Sequence, residues 1–186
     1  MPVKRRTTKL SGDKKDEKYV LYRKNNIIHL YCDIDRSAWM KFNEILYEMN
    51  EDDSIHEIIL RISSTGGEVS YGFNIASLIE NNKKPIHGIV DSECLSAAMF
   101  ILLACKTRKA TRCSEFLIHE ANIEMELKTT ELLKQYNAEM VMEKETKDYF
   151  LAKTKIKSKE YDIINADGMS FYTYDAIKYG IISEVI

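Results

Sequence analysis

The chain has 186 residues, of which 45% are hydrophobic and 30% charged, and its formal net charge is −2. That is the make-up of one globular domain with enough apolar material for a core. It excludes a general electrostatic pull toward nucleic acid or membrane, and no apolar run approaches the roughly 20 residues that a membrane span needs.

Charge is uneven along the chain. Residues 1–18 hold seven Lys/Arg against three Asp/Glu, a net of +4, which leaves −6 on the remainder. This stretch reads as a flexible basic arm without a signal-peptide apolar region, and 19–186 as one domain. Residues 19–23 and 27–32 read as strands joined by a turn at Asn25 and Asn26. Asp35 is placed to cap a helix on which Trp39, Phe42, Ile45, Leu46 and Met49 recur at helical spacing. A strand over 57–63 leads into the diglycine Gly66 and Gly67, and a helix follows over 73–80. The strand 86–90 and the apolar helix 97–105 flank a polar stretch that ends at Ser96. Strands are expected over 107–112 and 116–119.

Residues 123–155 contain neither Pro nor Gly and are rich in Glu, Lys, Leu and Met, so they read as one long helix. Its apolar residues form a broken stripe that calls for a partner surface, most simply another copy of the chain. Short helices over 158–165 and 173–179, the second closed by Gly180, precede a last strand over 181–186. Strands alternating with helices define an α/β fold with mainly parallel pairing. The four cysteines, Cys32, Cys94, Cys105 and Cys113, show no CxxC spacing, and several lie in apolar segments. Reduced thiols in a cytoplasmic protein are expected, with no metal and no cofactor.

Three features bear on chemistry. Ser96 stands between a strand and a helix, where a serine is ordinarily a cap and alternatively a nucleophile. The glycine pair is ordinarily a tight turn, but a backbone without side chains also lets an N–H approach a substrate carbonyl. His119 ends a strand that can lie beside the one feeding Ser96, which would bring imidazole and hydroxyl together. His29, His56 and His87 are read as structural or surface residues.

These features occur in an order that resembles the Clp protease proteolytic subunit family, ClpP and its relatives, phage-encoded members included. NIIHL over 26–30 resembles the family's first core strand, and ISSTGGEV over 62–69 its N-S-P-G-G-x-V loop. CLSAAMF over 94–100 resembles A-A-S-M-G/A-A-F, FLIH over 116–119 the segment ending in the catalytic histidine, and DAIKYGII over 175–182 resembles E-A-x-x-Y-G-L-I.

The resemblance implies the crotonase-like superhelix of ββα units, with 123–155 as the projecting handle that joins two heptameric rings. It implies a serine endopeptidase with Ser96 as nucleophile, His119 as general base, and the Gly67 and Ala97 N–H groups as oxyanion hole. Glu68, Val69 and Ser70, with Glu120 and Ala121, correspond to strands that clasp an extended peptide. The implied partners are polypeptide substrates, further copies of the chain, and an AAA+ unfoldase. The acid of the triad is open: alignment from the helix at Ser158 gives Asn165, while chemistry favours Asp167. Thr65 replaces the loop proline, Ser92 a glycine, and Ala121 the proline after the histidine, and Glu93 adds a charge near Ser96. Three other readings share this architecture: a phage head-maturation protease, a catalytically weak ring subunit, and an acyl-CoA enzyme of the crotonase type.

Overall fold

The computed structural model describes residues 20–120 and 129–186. The basic arm over 1–18 and the first part of the expected long helix, 123–128, lie outside the described residues.

Strand β1 (Val20–Lys24) turns at Asn25 and pairs antiparallel with β2 (Ile27–Tyr31). Helix α1 (Arg36–Glu51) begins where expected, because the Asp35 carboxylate accepts the Ala38 N–H at 2.8 Å. Phe42, Ile45, Leu46 and Met49 form its buried face. Next come β3 (Ile58–Ser64), α2 (Val69–Glu80), β4 (Ile86–Leu95), α3 (Ala98–Ala104), β5 (Thr107–Ala110) and β6 (Glu115–Leu117). The chain then runs through α4 (Thr129–Lys153), α5 (Ser158–Asp167), β7 (Phe171–Tyr172), α6 (Thr173–Lys178) and β8 (Glu184–Val185).

The sheet runs β1-β2-β3-β4-β5-β8, with β6 and β7 branching from β4. Every pairing from β2 onward is parallel except β6 with β7. In β2 and β3 the side chains alternate strictly between buried and half-buried, so one sheet face carries the core. Helix α3 is apolar and buried from Ala98 to Leu103, as an element packed on all sides must be.

The ten-residue β4 runs five residues past the expected strand. Its first half pairs with β5 and its second half with β6. Between them the register slips: Ile62 faces Val90, but Ser64 already faces Cys94. The extra residues bend β4, and Asp91 anchors the bend. Its carboxylate accepts both arms of the Arg61 guanidinium, one at 2.9 Å, and the Tyr31 hydroxyl at 2.5 Å. Its carbonyl accepts the Thr111 hydroxyl at 2.8 Å.

Three expectations are corrected here. Helix α2 starts at Val69 rather than residue 73, so Val69 and Ser70 form its first helical turn rather than an extended strand. Gly72 lies inside that helix because a Cβ there would stand 2.8 Å from the Ala97 carbonyl; its absence lets α2 pack closely on α3. The last strand shrinks to β8, since Ile181 and Ile182 are buried by packing and lie outside the ladder.

Candidate active site

The bend in β4 delivers Ser96 to a specific place. Its backbone N–H donates to the Leu117 carbonyl at 2.9 Å, extending the β4–β6 ladder in which Leu95 faces Leu117. Its carbonyl accepts the Met99 N–H at 2.9 Å, which starts α3. Between these two bonds Ser96 takes φ +52°, a left-handed conformation that a non-glycine residue holds at a cost of about 1–3 kcal/mol. The helix cap is Ala97, without any side-chain capping bond, so the capping role expected for Ser96 is not realised.

The diglycine packs against this turn. A Cβ on Gly66 would come within 2.5 Å of the Leu95 carbonyl and 2.8 Å of the Ser96 Cβ, which only glycine avoids. The loop is fixed from the other side by Ile34, whose N–H donates to the Gly66 carbonyl and whose carbonyl accepts the Glu68 N–H, each at 2.7 Å. The Ser64 hydroxyl donates to the Cys32 carbonyl at 2.6 Å and accepts the Gly66 N–H at 3.1 Å. Thr65, in the position of the family's proline, donates to Asp33 at 2.7 Å. Among the described residues the N–H groups of Gly67 and Ala97 donate to no protein acceptor.

His119 lies two residues beyond β6, half-buried. It lines, with Ser96 and Asn165, one cavity of about 310 Å³. Asn165 sits on α5, is only 7% exposed, and makes no side-chain hydrogen bond among the described residues. Its carbonyl accepts the Glu120 N–H at 3.2 Å, which ties α5 to the segment carrying His119. Asp167, the alternative acid, is exposed and does not line the cavity, although its neighbour Gly168 lies against the His119 Cβ. The half-turn that separates 165 from 167 on a helix turns one inward and the other outward. Of the expected peptide-clasping residues, Val69 and Glu120 line the cavity; Glu68 and Ser70 are exposed outside it, and Ala121 lies outside the described residues.

Residues that the sequence did not assign to the site complete the wall. Phe100 stacks on Phe73 with ring centroids 4.2 Å apart and packs on Phe150, which in turn packs on Tyr161. This aromatic chain sets α4 and α5 against α3. It places Tyr136, Glu139, Met140 and Glu143 of α4 along the cavity. Their spacing of three and four was the available signal.

A hydroxyl, an imidazole and a buried amide line one cavity, and such a set can support acyl transfer. Among the described residues no group of three or more His, Cys, Asp or Glu is gathered to hold a metal ion. No helix of the described residues is long and apolar enough to cross a membrane.

The bent parallel sheet with its branching strand defines a protein of the ClpP fold. It superposes on the structure of an asparagine-to-aspartate mutant of ClpP1 from Listeria monocytogenes with a TM-score of 0.77 at 18% identity, covering 87% of this chain and 91% of that one. The Clp protease family profile matches residues 11–186, and the chain belongs to the Clp protease family as a ClpP-like peptidase. No curated protein matches it.

Proposed function

We propose that the protein is a serine endopeptidase acting on unfolded polypeptides, with Ser96 as nucleophile, His119 as general base and Asn165 as the group that orients the imidazole. The observation that carries this reading is the strained turn at Ser96, held against β6 so that Ser96, His119 and Asn165 line one cavity.

In the first half-reaction the Ser96 Oγ attacks the peptide carbonyl and its proton passes to His119. The carbonyl oxygen gains charge beside the Gly67 and Ala97 N–H groups, fixed donors worth about 3 kcal/mol each in such a role. The C–N bond then breaks, and the proton on His119 goes to the leaving amine. Water repeats the sequence on the acyl-enzyme and releases the acid.

Assembly belongs to the same reading. Helix α4 exposes Leu133 and Val141, 69% and 62% accessible, and pairs of such helices would join stacked heptameric rings around a chamber. An AAA+ unfoldase would deliver the substrate.

The test is reaction of the assembled protein with a fluorophosphonate and mapping of the adduct by mass spectrometry. Ser96 should be the modified residue, and Ser96→Ala should abolish both the adduct and peptide hydrolysis. An assembled sample in which Ser96 stays unmodified would refute the reading.

A further inference from the structure

The cavity beside Ser96 has two kinds of wall. Its buried lining is mostly apolar, formed by Phe100, Ile118, Phe150 and Tyr161, with the amide of Asn165 among them. Its more accessible lining carries three carboxylates, Glu120, Glu139 and Glu143. His119 is the only lining side chain able to carry positive charge, and neither Lys nor Arg lines the cavity among the described residues.

Two lysines of α4 that follow these carboxylates are engaged elsewhere. Lys144 pairs with Asp148 at 2.5 Å and Lys147 with Asp162 at 2.6 Å. Glu139 accepts only a neutral donor, Gln135, at 2.8 Å, and Glu143 and Glu120 have no ion-pair partner among the described residues. Glu143 and Tyr161 line the same cavity, where burial, and after it the charge of Glu143, holds the Tyr161 phenol above its ordinary pKa. The buried amide of Asn165 adds an unpartnered polar group to the same lining.

We infer that this cavity receives the substrate side chain next to the scissile bond and selects lysine or arginine. A long aliphatic stem fits along the apolar wall while its cationic head reaches the carboxylates at the rim. A glutamate in the same place would meet like charge, and a purely apolar side chain would leave the carboxylates uncompensated. The inference rests on the peptidase reading and names its substrate class. Glu139 and Glu143 determine specificity here.

The experiment compares peptidyl diphenylphosphonates that differ only in the side chain next to phosphorus, lysine-like or norleucine-like, with a small fluorophosphonate as reference. The full-length assembled protein is used, and the rate of Ser96 labelling is read by mass spectrometry. The lysine-like reagent should label about ten-fold faster or more. The combined Glu139→Gln and Glu143→Gln variant should bring the ratio close to one, and Glu143→Asp should retain the preference. Equal or faster labelling by the norleucine-like reagent overturns the selection and leaves the peptidase reading standing. So does labelling by the reference alone. If none of the three reagents modifies Ser96, the peptidase reading itself falls, and the pocket assignment with it.

Discussion

Ser96 donates its backbone N–H to the carbonyl of Leu117 at 2.9 Å, and that bond sets the register between the strand feeding the serine and the strand feeding His119. Two further residues carry the chain from Leu117 to the imidazole. The pairing of β4 with β6 is therefore the element on which the candidate site depends.

The positive φ of Ser96 has a cost that glycine relieves. Ser96→Gly should be more stable than Ser96→Ala by about 1 kcal/mol, although both lack the hydroxyl. Urea denaturation of the two variants checks this, and equal midpoints would remove strain from the account.

Gly66 should tolerate no side chain. Gly66→Ala drives a methyl group into the Leu95 carbonyl and Ser96 Cβ, and should destabilise the fold by about 3 kcal/mol while displacing the Ser96 turn. Thermal melting and fluorophosphonate labelling should both fall. An unchanged melting temperature would contradict the packing described.

Asn165 and Asp167 give opposite expectations. Asn165→Ala should lower peptide hydrolysis by about ten-fold or more, and Asp167→Ala should leave it unchanged. Asn165→Asp should move the acidic limb of the pH–rate profile to higher pH, because a carboxylate beside the imidazole favours its protonated form. A profile that moves only in the Asp167 variant would reverse the assignment.

His29 predicts acid sensitivity. It stacks on Tyr22 at 4.5 Å, and burial, followed by the neighbouring Arg61 charge, holds its pKa below the ordinary value. The unfolded chain then binds the proton more readily. Stability is lost as pH falls through about 6.5 and onward to the lower folded value. Asp35 and Asp52, both lowered by hydrogen bonds, lose their contributions only in the carboxylate range. Melting curves at pH 7.5 and 5.5 should therefore separate less in His29→Gln than in the parent protein.

Local signals account for much of the fold. Asp35 and the 42, 45, 46, 49 spacing announce α1, and the alternation in β2 and β3 is visible in the chain. The long reach of β4 is not, because Asp91, Ser92 and Glu93 look like a loop until Arg61 and Tyr31 from other strands meet Asp91. The two-residue β7 is too short for any periodicity. At the site, Ser96, His119 and the glycine pair are legible as types and spacing. The choice between Asn165 and Asp167 is not, because it depends on the rotation of α5 against β6. The carboxylates of α4 read as an ordinary solvated face until the Phe100 and Phe150 contact turns them toward the cavity.

Arg108 bonds three carbonyls from three helix ends: Leu103 near the end of α3 at 3.4 Å, Lys153 closing α4 at 3.2 Å, and Gly180 beyond α6 at 3.0 Å. A cation is favoured where helix carbonyls converge. One guanidinium thereby couples the local opening of three segments, two of which wall the cavity. Amide hydrogen exchange in α3, the C-terminal half of α4 and α6 should proceed with a shared opening free energy, and in Arg108→Met those segments should decouple and exchange one by one.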